Sequence, residues 1–136
     1  MGKLKVYISG GMSDIPRKEY MERFSTADKV LKEHGYDTVN PTRVWVCRYG
    51  WMWKALAWFV GVETAYRMAL LYDLWLLMMK ADRIYRMPGW KDSRGANIES
   101  CVAYHMKVYN IGKRAQTSID KVLNERMSDE SNEHAY

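Results

Sequence analysis

The sequence predicts a single α/β domain in which a short parallel sheet of four to five strands carries helices on both faces. Three observations favour this class. The 136 residues suit one compact domain with a sizeable core. The content of 48% hydrophobic and 27% charged residues is typical of a globular protein. Short apolar runs of β type alternate with segments of helical periodicity, which is typical of a parallel sheet covered on both faces.

The first strand is predicted at residues 4–8, which read LKVYI. Ser9 ends this strand, and Gly10 and Gly11 follow it. Because glycine lacks a side chain, the backbone can turn sharply here and leave its amide groups free to face a ligand.

A helix follows this loop and is predicted to end near Gly35. Its apolar residues recur at helical spacing and form one buried stripe. The members of this stripe are Tyr20, Phe24, Ala27 and Leu31. A second short strand, YDTVNP at residues 36–41, is closed by Asn40 and the proline after it.

Residues 43–61 are rich in aromatic side chains and predict a loop followed by a short helix. The aromatic residues of this section are Trp45, Tyr49, Trp51, Trp53, Trp58 and Phe59. Three roles stay open for them, because tryptophan and tyrosine serve each one. They either stack on a base in a pocket, or pack in the core, or form a contact between subunits.

Residues 63–80 predict a long helix rich in leucine and methionine. Apolar residues surround most of its circumference, which predicts burial on more than one side, with the sheet on one side and a partner subunit on the other. Asp73 interrupts the apolar run LLYDLWLLMM. A carboxylate at this position must reach solvent, a partner or an active site, because unpaired burial is costly.

The rest of the chain predicts a strand, a helix, a strand and a helix. These elements are expected at residues 83–87, 95–107, 108–111 and 117–127. The domain proper therefore spans residues 1–112, and residues 113–136 form a C-terminal helix with a polar tail.

Charge and cysteine content narrow the classes of function. The net charge of +5 favours anionic partners, but the basic residues are scattered and give little support to a nucleic acid polymer. Cys47 and Cys101 lack metal-ligand spacing, so we expect no metal and no cofactor. Free thiols without a secretory leader favour the cytoplasm. The apolar segment 51–62 is too short to span a bilayer, so we expect no membrane contact.

Two loops are expected to meet at the carboxyl edge of the sheet, where parallel sheets bind ligands. One contains Gly10 and Gly11, and the other reads PGWKDSRGA and leads to Glu99. Glu99 lies about two turns into a helix, where the helix dipole favours an ionised carboxylate. Such a group can act as a nucleophile or stabilise a cationic sugar carbon. The alternative is a surface glutamate placed there for the same dipole reason.

Ser93, Gly95 and Tyr7 are further candidates for this edge. Ser93 and the free amides near Gly95 form either a cradle for a phosphate or hydroxyl group or an ordinary helix N-cap. Tyr7 lies near the end of the first strand. Its hydroxyl either orients Glu99 or belongs to a half-buried strand tyrosine.

Three stretches of the sequence resemble a known group of proteins. KVYISGGM, VNP and AD…MPGWKDSRGANIE are similar to the small phage and bacterial relatives of nucleoside 2-deoxyribosyltransferases. That superfamily also includes the deoxynucleoside 5′-monophosphate N-glycosidases. The resemblance covers residues 3–111. It implies a flavodoxin-like three-layer sandwich and cleavage of the bond between a sugar and a nucleobase.

The resemblance also implies roles for three residues. Glu99 corresponds to the glutamate that attacks the anomeric carbon and forms a covalent glycosyl-enzyme. Tyr7 corresponds to the tyrosine that holds this nucleophile in place, and Asp73 to the aspartate that assists the departing base. Water or a second base then resolves the intermediate, so the implied enzyme is a hydrolase or a transferase.

Ser93 favours a phosphorylated substrate within this resemblance. Transferases of free nucleosides usually carry an aspartate six residues before the glutamate, whereas the monophosphate N-glycosidases carry a serine there. A carboxylate ~4 Å from a phosphate would cost about 4 kcal/mol at an effective dielectric constant of ~20. The expected substrate is therefore a nucleoside or deoxynucleoside 5′-monophosphate, with Ser9, Gly10, Gly11 and Gly95 as further binding residues.

Two other functions stay open. One is a non-catalytic nucleotide-binding module that senses or sequesters a nucleotide or a nucleotide-derived signal. The other is an interaction protein that uses its Trp-rich surface. Members of the resembled family commonly build active sites at subunit contacts, which implies a homodimer or larger homo-oligomer. The helix at residues 63–80 and the Trp-rich section are the candidates for that contact.

Overall fold

The computed structural model of the chain describes residues 3–10, 17–43 and 50–135. Gly11 lies outside the described residues, as do Trp45 and Tyr49 of the Trp-rich section. The described part contains four strands and five α-helices, with short 3₁₀ turns at Pro41–Arg43 and Trp90–Asp92. The elements are β1 (Lys5–Ser9), α1 (Arg17–Glu33), β2 (Asp37–Val39), α2 (Gly50–Val60), α3 (Val62–Lys80), β3 (Arg83–Arg86), α4 (Arg94–His105), β4 (Tyr109–Asn110) and α5 (Lys113–Ala135).

The four strands form one parallel sheet in the order β2-β1-β3-β4. β1 lies in the interior of this sheet, and its Tyr7 is in register with Val39 of β2 and Ile84 of β3. The prediction of a parallel α/β sheet of four to five strands is thereby confirmed. The architecture is a flavodoxin-like three-layer sandwich.

One face of the sheet packs against α1 and α5. The predicted stripe of α1 is buried there, because Phe24, Ala27 and Leu31 are fully enclosed and Tyr20 packs against them. The helix ends where Gly35 adopts a φ of +90°, a conformation that favours glycine. The core residues contributed to this layer by the strands and α5 are Val6, Ile8, Tyr85, Met87, Ile119 and Leu123.

The opposite face of the sheet packs against α3 and α4. Successive side chains of a strand point to opposite faces, so Tyr7 lies on this side whereas its neighbours Val6 and Ile8 lie on the other. Leu77 of α3 and Ala103 of α4 pack in the same cluster as Tyr7. The candidate residues therefore belong to the layer built by α3 and α4.

Two features of the helices bear on the expectations. Within the described part of the protomer, α3 buries one face, and its buried residues are Ala65, Asp73 and Leu77. The expected partner subunit on its other side stays a prediction. α5 continues to Ala135, well beyond the predicted end at residue 127. The polar segment after residue 127 contains no glycine or proline, so nothing in it breaks the helix. Among the described helices, none combines the length and apolar composition needed to cross a membrane.

Candidate functional site

Three side chains from three different elements meet beneath the α3–α4 layer. Tyr7 of β1 is fully buried, and Asp73 of α3 and Glu99 of α4 are 6% and 3% exposed. The Tyr7 hydroxyl and the Asp73 carboxyl both lie near enough to Glu99 to change its pKa, in opposite directions. The structure thus brings together the three residues to which the sequence resemblance gave catalytic roles.

Helical spacing places both carboxyl groups on the buried faces of their helices. On α4, Glu99 shares the buried face with Ala96 and Ala103, whose small side chains let the helix approach the sheet closely. On α3, Asp73 lies one turn before Leu77, which packs in the same cluster as Tyr7. Each carboxyl group is therefore carried inward by a helix face that is otherwise apolar.

Burial is the main cause of the raised pKa values of the Asp73 and Glu99 carboxyl groups. It raises the pKa of Asp73 from 3.8 to about 7. It also raises the pKa of Glu99 well above its ordinary value, and the nearby Asp73 charge raises it further. The Tyr7 hydroxyl opposes these effects, because it stabilises the ionised form of Glu99. Two neighbouring buried carboxyl groups resist double ionisation, so near neutral pH the pair retains a proton.

Ser93 is the N-cap of α4. Its backbone is extended, with a φ of −101° and a ψ of 124°, and its Oγ accepts a hydrogen bond of 3.3 Å from the Ala96 amide. The Asn97 side chain donates to the Ser93 and Lys91 carbonyl oxygens at 2.7 and 2.8 Å and ties the preceding loop to the helix. The N-cap interpretation of Ser93 is thus correct. It leaves the hydroxyl proton of Ser93 available as a donor.

The end of β1 contributes a second group of candidates. Ser9 is fully buried, and its Oγ has no hydrogen-bond partner within the described part of the chain. The same holds for the Oε2 atom of Glu99. At Gly10 an added Cβ would meet the flexible end of the Met87 side chain, so this loop passes close to the residue that follows β3. Buried polar atoms without partners within a protein commonly bond to water or a ligand.

Residues 4–110 match the family described as a domain of unknown function, DUF4406. The chain belongs to the DUF4406 family. The match includes Tyr7, Asp73, Ser93 and Glu99 and ends before α5. No curated protein and no solved structure matches the chain.

Tyr66 of this DUF4406 domain lies beside the first turn of α4, a position that the sequence analysis did not predict. Its hydroxyl lies 3.2 Å from the position that a Cβ on Gly95 would occupy, at the first turn of α4. The Arg94 guanidinium lies 5.1 Å from the centre of the Tyr66 ring and also contacts Glu63 at 3.2 Å. Tyr66 lies seven residues before Asp73, two helical turns away, but this spacing alone does not indicate its contact with α4.

The VNP stretch of the DUF4406 domain has a structural role at the carboxyl end of β2. Asn40 accepts hydrogen bonds from the amide and hydroxyl groups of Thr42, at 3.0 and 2.6 Å. Its amide group donates to Asp28 of α1 at 3.2 Å, and Thr38 donates to the same carboxylate at 2.6 Å. This network fixes the chain after β2 against α1.

A cavity of about 110 Å³ lies beside β3 and β4 and does not include the carboxyl pair. Its lining residues are Ile84, Arg86, Ser100, Ala103, Tyr104, Val108, Tyr109 and Asn110. We take Tyr7, Asp73 and Glu99 as the candidate site, because carboxyl groups whose pKa values are raised by burial are typical of functional sites, and the lining of this cavity contains no carboxyl group. Within the described residues, no three histidine, cysteine or acidic side chains are grouped as metal ligands.

Proposed function

We propose that this DUF4406 domain cleaves the bond between sugar and base in a nucleoside or deoxynucleoside 5′-monophosphate. The observation that carries the proposal is the buried pair of Glu99 and Asp73, with the Tyr7 hydroxyl beside Glu99. The likeness of the sequence motifs to nucleoside 2-deoxyribosyltransferases and their N-glycosidase relatives supports it. On this proposal the domain is a distant member of that superfamily.

In the first step, a carboxylate oxygen of Glu99 forms a bond to C1′ of the sugar while the bond from C1′ to the base nitrogen breaks. The electron pair of the broken bond stays on the base nitrogen, and protonated Asp73 supplies the proton that the departing base requires. The positive charge that develops at C1′ favours the ionised form of Glu99, so the proton of the pair then resides on Asp73.

In the second step, the oxygen of a water molecule attacks C1′ and gives its proton to the Asp73 carboxylate. The ester bond to Glu99 breaks, and its electron pair returns to the carboxylate. The products are a free base and a sugar 5′-phosphate whose configuration at C1′ is retained, because it is inverted twice. A second base in place of water would make the same chemistry a transfer.

The 5′-phosphate is assigned to the amino end of α4. Helix amino ends attract anions through their unpaired amides and the helix dipole. Ser93 adds a hydroxyl proton there, and the close approach of Gly10 to Met87 brings the end of β1 toward the same loop. We assign Ser9 and Gly95 to substrate binding as well.

The test is chromatographic. The protein is incubated with a panel of nucleoside and deoxynucleoside 5′-monophosphates, and free base is measured. We expect release from at least one member, and loss of release in Glu99→Gln, which keeps the shape of the side chain but cannot act as a nucleophile. Glu125→Gln changes an exposed glutamate of α5 and serves as the matched control. Thermal stabilisation by a nucleotide without any base release would instead establish the non-catalytic binding module.

A further inference from the structure

The outward surface of α2 and α3 is apolar and exposed. Trp58 and Phe59 of α2 are 86% and 80% exposed, and Leu71 of α3 is 70% exposed. We call this surface the hairpin face. Its members are Trp51, Trp58 and Phe59 from α2 and Met68, Leu71, Tyr72, Trp75, Met78 and Met79 from α3.

The hairpin face is continuous because of helical spacing. Its α3 members recur every three or four residues and lie on the side opposite Asp73 and Leu77, which lie toward Tyr7 and the sheet. The other charged residues of α3 lie toward its ends, and they are Glu63, Arg67 and Lys80. α2 packs against α3 and extends the same surface. Lys54 lies between Trp51 and Trp58 on α2. Apart from this residue the surface has an apolar centre with charges at its margin, which is the composition of a protein–protein interface.

The exposed area of the hairpin face matches the area that one subunit buries in a stable protein–protein interface. A large aromatic side chain presents ~150–250 Å², so nine large apolar side chains exposed by 42–86% leave on the order of 1,000 Å² uncovered. The largest apolar patch on a typical monomer is only about 300–600 Å². A standard stable interface buries about 800 Å² on each partner. One protomer thus presents the area that a dimer needs.

We propose that the hairpin face is the contact between two copies of this chain, related by a two-fold axis. In such an interface the same surface is used on both subunits, so an apolar face meets an apolar face without a partner of different chemistry. The contact also covers the outer side of the helix whose inner side carries Asp73. This interface stands independently of the proposed reaction.

Light scattering coupled to size-exclusion chromatography tests the proposal. For the wild-type protein at micromolar concentration we expect twice the 16.0 kDa of one chain. Leu71→Glu and Trp58→Glu place a charge on α3 and α2, respectively, and each should give the mass of a single chain. Both side chains are exposed within the protomer, so the fold should be retained, as measured by far-ultraviolet circular dichroism and a cooperative thermal transition.

Tyr104→Glu is the matched control, because Tyr104 is 76% exposed on α4 and lies outside the hairpin face. It should remain a dimer. A wild-type protein with the mass of one chain would overturn the proposal, as would two glutamate variants that both remain dimeric. Sedimentation of a monomeric wild-type protein with vesicles of phosphatidylcholine and phosphatidylglycerol would assign the hairpin face to a membrane surface instead.

Discussion

The Tyr7 hydroxyl lies beside the Glu99 carboxyl at the interior of the α3–α4 layer, where it favours the ionised form of Glu99. Both side chains are almost completely shielded from solvent. In such surroundings a hydrogen bond to an ionised group contributes more than it does in water, because water cannot replace it. The Tyr7 hydroxyl therefore opposes the effect of burial, which is the main cause of the raised pKa of Glu99.

Tyr7→Phe should slow base release and move its pH dependence. The substitution removes the one interaction that lowers the pKa of Glu99, so that pKa rises further. A hydrogen bond to a charged group contributes about 1.5–3 kcal/mol, which corresponds to a ~10–100-fold fall in kcat. The rising limb of the plot of kcat against pH, which reports ionisation of Glu99, should shift to higher pH. Tyr104→Phe on the exposed side of α4 should leave both quantities unchanged, and an unshifted limb in Tyr7→Phe would disprove the assigned role.

Asp73→Asn should stabilise the fold at alkaline pH while it removes activity. The folded-state pKa of about 7 exceeds the ordinary 3.8, so the unfolded chain ionises first as pH rises. The wild-type free energy of unfolding should therefore fall between about pH 4 and about pH 7, by up to about 4 kcal/mol. Asparagine carries no charge and escapes this penalty.

Urea denaturation at about pH 5 and about pH 8.5 measures this effect of Asp73. Asp73→Asn should be the more stable protein at the higher pH and should have a weaker dependence of stability on pH than the wild type. Asp37→Asn, at an exposed position of β2, is the control and should retain the wild-type dependence. Equal pH dependence in Asp73→Asn and the wild type would show that Asp73 ionises freely in the fold.

Much of the fold followed from local patterns in the sequence. The stripe from Tyr20 to Leu31 and the positive φ of Gly35 depend on spacing and backbone freedom, which the sequence displays directly. The approach of the loop after β1 to the loop that leads to Glu99 was expected from motif order, because the carboxyl ends of parallel strands lie at one edge of the sheet. The place of Asp73 beside Glu99 was implied by the family resemblance alone. The catalytic roles of these residues stay predictions.

Other features depend on packing between distant segments and left no local signal. In the sequence, Asp28 looks like an ordinary polar residue of a helix. In the structure it is buried in α1 and accepts a hydrogen bond from Asn40, the residue after β2. Tyr66 acquires its place only because α3 lies beside the first turn of α4. The exposure of Trp58 could not be predicted either, since the composition of a buried helix and that of a subunit contact are alike.

Ser93→Asp should change the substrate preference without unfolding the protein. Aspartate is as good an N-cap as serine, so the bond to the Ala96 amide can be kept. A carboxylate ~4 Å from the 5′-phosphate costs about 4 kcal/mol, which raises KM for a nucleotide by on the order of 10³. The KM for the corresponding nucleoside should stay equal or fall. Ser118→Asp on exposed α5 controls for the added charge, and an unchanged nucleotide KM in Ser93→Asp would place the phosphate elsewhere.

Gly95→Ala should reveal how tightly Tyr66 closes on the first turn of α4. Alanine favours a helix over glycine by about 1 kcal/mol, so this change alone should stabilise α4. Its added methyl group would lie 3.2 Å from the Tyr66 hydroxyl, while Arg94 over the ring opposes displacement of that side chain. We therefore expect the gain to be lost, with Gly95→Ala no more stable than the wild type.

The Tyr66→Phe background separates these two contributions, because it removes the oxygen and keeps the ring. In that background Gly95→Ala should raise the free energy of unfolding by up to about 1 kcal/mol, the full helix propensity difference. Urea denaturation of the four proteins of this double-mutant cycle gives the coupling energy directly. Two equal effects of Gly95→Ala, with and without the hydroxyl, would show that Tyr66 yields without cost and does not shape the amino end of α4.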